Sequence, residues 1–410
     1  MQSNHKINIS SAAKLKRLCY VITSFPQISE TFIVEEALSL YDFDVDFCIF
    51  ALKEGNFDLV HPSAQALLDK NKIIYTEGVS KEQAINALIK LMIINPLKTL
   101  KTLIKAINHP LRWRYFQALP YAQQILKTKT DYIHAHFADD NLCYAAILSE
   151  WSGIPYGFTM HGYDLRDDPI GIKKLMRLAN KANSIVTVSE FYKGVMVEKY
   201  GLNIGKIYVA YNGIRMELFK PNNHRSEADF IQLLNVGRLV PLKGQDILLE
   251  AVAKVIEKGH KVKLRIIGEG SSRIALENQI HKLKLNGVVE LLGAKSQQEV
   301  QKYLAESDIF IMPSRKESFG ITCIEAMAMQ VAVIASDAEG LPEVVDHQET
   351  GLLFSSENIN ELVDAIILMI QNKQIRLEMG IKGRERVLNN FTRERVTNGL
   401  IEYFSQSVRN

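Results

Sequence analysis

Glu317 and Glu325 stand eight residues apart on either side of a Ser-Phe-Gly turn. A continuous apolar run, 308–312, precedes them, and a segment rich in Ala and Met follows to residue 329. Such a run reads as a strand buried on both faces, and such a segment as a helix opening at Gly320. A helix start offers unpaired N–H groups and a partial positive charge, which suit phosphate or hydroxyl oxygens. Two carboxylates beside those amides suit sugar hydroxyls. A second group follows an earlier apolar run: Val236-Gly-Arg238-Leu-Val-Pro-Leu-Lys243-Gly244. The planar fork of Arg238 and the point charge of Lys243 together match a diphosphate. The plainer alternatives are a surface Glu317, a Glu325 paired with a neighbouring cation, and a solvated basic loop.

The elements that position these residues alternate. In the second half, strands over 232–236, 262–267, 288–292, 308–312, 331–335 and 352–354 are separated by helices. One helix, from about Asp246, stops at Gly259, and another opens with the capping box Ser296-Gln-Gln-Glu299. The first half reads as strands over 18–23, 45–51, 72–75, 132–136, 156–160, 184–188 and 206–210, with helices from about Glu30 to Leu40 and at 141–150, 172–181 and 191–199. Strand–helix alternation at this spacing predicts right-handed, doubly wound parallel sheets, with a ligand in the cleft outside the carboxyl ends of the strands. The fold class is α/β, in two Rossmann-like domains facing a central cleft. Residues 1–220 form the first, 221–390 the second, and 391–410 a closing helix that packs back on the first. The polar stretch 221–227 is the linker candidate.

Composition narrows the classes. A chain of 410 residues, 47% hydrophobic and 23% charged, fits two globular domains. A net charge of +3 and the lack of a basic stripe with interleaved aromatics argue against nucleic acid. Cys19, Cys48, Cys143 and Cys323 are scattered and read as buried thiols in a reducing compartment. No run approaches the roughly twenty apolar residues of a membrane span, and the N-terminus lacks an apolar signal core. The expected location is cytoplasmic.

Glu317-x7-Glu325 with Ser-Phe-Gly between them, the Met-Pro-Ser before and Glu-Ala-Met-Ala after, together with Gly-Arg…Lys-Gly at 237–244, closely resembles the signature of the family-4 retaining glycosyltransferases. The resemblance covers nearly the whole chain and is densest from Arg238 to Glu343. It implies the two-domain GT-B fold and transfer of a hexosyl unit from a nucleotide-sugar, UDP favoured over GDP, to a glycan or lipid-linked saccharide. It implies no cofactor and no metal. By resemblance Arg238 and Lys243 hold the diphosphate, and Glu317 a donor-sugar hydroxyl. Glu325 would take the ribose hydroxyls, Phe319, Gly320 and Ile321 would supply amides, and Ala294 would lie at the nucleobase. Glu343 braces the loop over the donor. In Thr159-Met-His161-Gly-Tyr-Asp164, His161 would lie near the transferred sugar, with Asp164 a sugar or acceptor contact. A lone His after a strand is otherwise structural. His134 and His136 share a strand face, which invites a metal reading, but the further ligands of a metallohydrolase are not evident, so both read as structural.

The resemblance departs in the first loop, where many members carry glycines. Here Ser24-Phe-Pro-Gln-Ile-Ser-Glu-Thr-Phe32 resembles a subgroup that builds exopolysaccharide or lipopolysaccharide repeats, including colanic-acid-type enzymes. Ser29 and Glu30, at the helix start, are the candidate contacts there. The segment 81–120 is helical and one-sided in charge, with Lys81, Lys90, Lys98, Lys101, Lys105, Arg112 and Arg114 among many Leu and Ile. It could lie on an anionic leaflet as a peripheral contact, or pack as an ordinary helix pair. The competing functions are a sugar-nucleotide epimerase, a phosphorylase of similar shape, and an inactive nucleotide-sugar-binding protein.

Overall fold

Short apolar runs recurring between amphipathic helices hide both faces only inside a parallel sheet covered by helices. The computed structural model, which describes residues 15–27, 31–57, 60, 62–70, 72–75, 78–109, 111–162, 169–221 and 229–409, has two such sheets. The first contains β1 (Arg17–Phe25), β2 (Asp46–Glu54), β3 (Ile73–Tyr75), β4 (Tyr132–His136), β5 (Tyr156–Met160), β6 (Ser184–Thr187) and β7 (Ile207–Val209). They pair in parallel in the order β3-β2-β1-β4-β5-β6-β7. The second contains β8 (Ile231–Val236), β9 (Val262–Ile267), β10 (Val289–Leu291), β11 (Ile309–Met312), β12 (Ala332–Ser336) and β13 (Gly351–Phe354), in the order β10-β9-β8-β11-β12-β13. Both sheets reverse their winding beside the first strand, between β1 and β4 and between β8 and β11. In doubly wound sheets ligands bind at these switch points.

Contacts divide the chain into two units. One comprises Met1–Thr187, Val195–Ala210 and Thr397–Asn410; the other comprises Val188–Gly194 and Tyr211–Val396. The linker candidate 221–227 lies outside the described residues apart from Pro221.

In the second unit the period-2 alternation of side chains splits the core into two layers. Phe310, Met312, Val333 and Ala335 face one layer, with Phe319, Met327 and Phe391. Ile309, Ile311, Ala332 and Ile334 face the other, with Leu248, Val252 and Leu362. Each such side chain contributes about 1.5–3 kcal/mol by leaving water.

The last helix, Arg393–Arg409, belongs to the first unit from Thr397 on and supplies Tyr403, whose hydroxyl accepts from Ile185 N at 3.2 Å, and Ser405, whose hydroxyl accepts from Leu15 N at 3.2 Å. The basic segment 81–120 forms helices Lys81–Ile94 and Pro96–Ile107 and most of a third, Arg112–Lys127. That third helix runs on through Pro120, seven residues further than the sequence pattern predicts. The first two helices turn small residues inward. They bury Ala84, Ala87, Leu91, Thr99, Thr102 and Ala106 and turn Ile85, Ile89, Ile93, Leu97 and Ile104 to the exterior.

Candidate active site

Lys243 ends a 3-10 turn, Pro241–Lys243, that follows β8, and Glu317 lies in the loop after β11. The two strands flanking the switch point thus each contribute one charged side chain, and these meet. Lys243 Nζ is 2.5 Å from Glu317 Oε2, with the side chains only 20% and 15% exposed. Shielding of that degree makes the pair stronger than a surface ion pair.

A second set of contacts holds both loops. Arg315 donates to both carboxylate oxygens of Asp246 at 2.8 Å, and to the Pro241 carbonyl at 2.7 Å. Its Nε also donates to Glu357 at 2.6 Å. Flanking carboxylates keep this guanidinium charged, and it ties the turn at 241–243 to the loop at 313–317. Buried Gln245 donates to the Arg238 carbonyl at 3.1 Å, fixing the other end of the turn. Sequence reading missed Arg315 and Asp246. Their signal was an acid in the first turn of the helix Gln245–Glu257, opposite an arginine in the facing loop.

Arg238 is exposed and makes no ion pair among the described residues, so its guanidinium is available to an anion. Gly320 caps the helix Ile321–Ala328 at φ +100°, with no side-chain cap over the first-turn amides. The side chain of Phe319 is buried, stacked on Tyr211 at 5.5 Å, so what it can offer a ligand is its backbone. Glu325 lies further along that helix, half-buried. Burial pushes its carboxyl up to about 7, against an opposing hydrogen bond from Gln297. Gln297 opens the helix after the β10 loop that carries exposed Ala294. Arg238, Lys243, Glu317, Gly320, Ile321 and Ala294 stand on loops or helix starts after β8, β10 and β11, and Glu325 inside the helix after β11. Glu343 accepts from the amides of Glu190 and Phe191 at 2.8 Å each, capping the helix that they open.

The first unit holds the other group. His161 follows β5, and its ring packs between Phe32 and Phe137, with centroids at 4.6 and 4.9 Å. Its Nε2 lies 3.0 Å from Nδ1 of His136, and burial pushes the imidazole down to about 3, so it is neutral at neutral pH. His136 and His134 are fully buried at the end of β4, and His134 Nε2 lies 2.7 Å from the Thr159 hydroxyl. Asp164, Ser29 and Glu30 lie outside the described residues. Sequence reading missed Glu36 and Tyr20, which belong to the same cluster. Ile33, Glu36, Ala37 and Leu40 share the inward stripe of the helix Thr31–Asp42, so an acid on that stripe was the available signal.

The chain is similar to known proteins. Residues 217–386 match the model described as "Glycosyl transferases group 1", and residues 88–218 the one described as "Glycosyltransferase Family 4". An uncharacterized glycosyltransferase of Methanocaldococcus jannaschii is 32% identical over 62% of this chain and 70% of its own length. The putative colanic acid biosynthesis glycosyltransferase WcaL of Escherichia coli is 25% identical over 92% of this chain and 96% of its own. Among solved structures, a Rickettsia africae glycosyltransferase superposes with TM-score 0.77 at 22% identity, covering 96% of this chain and 99% of that one. Anabaena HepE, solved with UDP, superposes with TM-score 0.75 at 19% identity, covering 95% of this chain and all of that one (100%). At such identities the superpositions speak to the fold.

Proposed function

The chain belongs to the family-4 glycosyltransferases, and from that premise we propose that it is a retaining, metal-independent hexosyltransferase of cell-surface polysaccharide synthesis. Its donor is a nucleotide-sugar, UDP-linked in preference to GDP-linked, and its acceptor a hydroxyl of a glycan or lipid-linked saccharide. The observation that carries the reading is the Lys243–Glu317 pair at the switch point of the second sheet, beside the uncapped helix start at Gly320. A diphosphate there meets Lys243, Arg238 and the amides of Phe319, Gly320 and Ile321. These groups stabilise the charge that grows on the leaving phosphate. As the phosphate draws Lys243 away, the Glu317 carboxylate becomes free to accept from a sugar hydroxyl. Glu325 takes the ribose hydroxyls. The acceptor hydroxyl attacks on the face from which the diphosphate departs, and the leaving phosphate receives its proton. Likeness to a colanic-acid enzyme and to the Staphylococcus aureus capsular enzyme CapM supports the polysaccharide role. HepE, solved with UDP and with UDP-glucose, supports the choice of nucleotide.

A melting-temperature screen against UDP-, GDP- and ADP-sugars tests the donor. A ligand at a hundred times its dissociation constant adds about 2.7 kcal/mol, enough to raise the transition by several degrees. UDP-sugars are expected to give the largest rise, and transfer is expected to persist in a chelator. A flat screen sinks the reading. Donor turnover without any acceptor would instead indicate the epimerase.

The basic segment 81–120 of the first unit supports a peripheral membrane site. Ile93 and Leu97 are 78% and 83% exposed, Trp113 is 56% exposed, and the exposed cations Lys81, Lys90, Lys101 and Arg112 make no ion pair among the described residues. No helix among the described residues is long and apolar enough to cross a membrane. Apolar side chains interleaved with unpaired cations match the acyl boundary and charge of an anionic leaflet, at about 1 kcal/mol per cation near the surface. The chain is expected to float with vesicles containing phosphatidylglycerol and to lose most of that binding as I93E/L97E. Equal flotation of parent and variant, or a dimer dispersed by the same substitutions, would overturn this surface assignment.

A further inference from the structure

The buried cluster around His161 in the first unit is connected in a definite order. Tyr20, on β1, donates its hydroxyl to Glu36 Oε1 at 2.5 Å. His136 Nε2, at the end of β4, lies 3.6 Å from that same oxygen and is buried without a hydrogen-bond partner. The other nitrogen of His136, Nδ1, is 3.0 Å from His161 Nε2, and the two rings stack at 18° with centroids 5.3 Å apart. Phe137 follows His136 at φ +74°, a conformation costly for a bulky side chain, and its ring lies against His161. Asn141, also buried, donates to the His136 carbonyl at 2.8 Å and so holds this strand end. These elements bracket the switch point between β1 and β4.

We propose that Glu36, acting through His136, is a positioning residue that fixes the tautomer of His161 and thereby the sense of the hydrogen bond His161 offers a sugar hydroxyl. Both imidazoles are held neutral by burial, so only one proton lies between Nδ1 of His136 and Nε2 of His161. A charged Glu36 draws the His136 proton to Nε2, as a carboxylate does for any imidazole it faces. Nδ1 of His136 is then bare and accepts, and His161 donates from Nε2. A protonated Glu36 removes that attraction and reverses the chain: the His136 proton sits on Nδ1 and donates, and His161 carries its proton on Nδ1. Burial pushes the Glu36 carboxyl up to about 7, so the reversal falls near neutral pH. The titratable groups facing Glu36 are Tyr20 from β1 and His136 from β4, with His134 at the edge of the Tyr20 ring. Tyr20 stays protonated throughout, since burial and Glu36 both push its phenol up.

The inference rests on the reading that His161 meets the transferred sugar, and its test is readable without turnover. In the full chain labelled with 15N-histidine, His161 is expected as the Nε2–H tautomer at pH 8.5 and increasingly as Nδ1–H at pH 6. The resonance is assigned by its loss in H161Q. In Glu36→Gln the pH dependence should vanish between those limits. His136→Ala should lower kcat about tenfold, the scale of losing a partner that orients a functional imidazole. His136→Asn, whose side-chain oxygen can accept from His161, should recover part of the loss. A His161 tautomer that ignores pH in the parent overturns the relay whatever the variants do, and so does a His161 tautomer that still follows pH in Glu36→Gln. Full transfer by His161→Ala would instead remove the sugar contact while leaving the tautomer result standing.

Discussion

Lys243→Ala is expected to lower kcat for transfer about a hundredfold or more, at saturating donor and with the melting temperature close to the parent's. The ammonium reaches the switch point from the turn Pro241–Lys243, whose two ends are fixed by Arg315 and Gln245. It is therefore preorganised, and a preorganised charge aimed at developing negative charge is worth roughly 2.7–4 kcal/mol in the transition state. Alanine also leaves Glu317 half-buried without its cation, and that carboxylate would repel the diphosphate. Lys243→Ala/Glu317→Gln should consequently bind donor more tightly than Lys243→Ala while remaining slow, because neutralising the acid restores affinity but supplies no positive charge. The measurements are initial rates and donor dissociation constants for the three variants. Turnover within threefold of the parent in Lys243→Ala would remove this residue from the chemistry.

Much of the scaffold was legible. The strands of the second unit were readable because burial on both faces demands uninterrupted apolar residues, as in Val262–Ile267 and Ile309–Met312. The capping box at Ser296 was readable because its two hydrogen bonds lie three residues apart. The first unit's strands were readable for the same reason as the second's. What escaped the sequence depends on contacts between distant positions. Glu36, His136 and His161 meet across more than a hundred residues, and neither helix periodicity nor strand alternation encodes that meeting. Arg315 looked like any loop cation until the fold brought Asp246 to it. The outward Ile and Leu of 85–107 answer a question that the sequence left open. Periodicity marks an apolar face but carries no sign for which way the face points, and here small Ala and Thr residues pack inward instead.

Gly244→Ala is expected to produce a large structural effect for a single added methyl group. Gly244 has φ +66°, and a Cβ there would stand 2.0 Å from the Pro313 carbonyl oxygen. Backbone atoms cannot rotate aside as a side chain can, so the turn after β8 and the loop after β11 must separate. The left-handed conformation costs alanine about 1–3 kcal/mol, and overpacking adds about 1–3 kcal/mol. For a unit of this size that corresponds to a melting temperature lower by roughly 5–15 °C. The separation parts the turn that carries Lys243 from the loop that carries Glu317, so donor-induced stabilisation should be lost even at temperatures where the variant is folded. Gly237→Ala is the matched control, seven positions earlier in the same turn-bearing loop. Its Cβ would meet nothing nearer than 3.8 Å, so it should melt and bind donor like the parent. If the two alanines behave alike, close approach of the backbones is not what holds the lysine against the glutamate, and the site must owe its geometry to Arg315 alone.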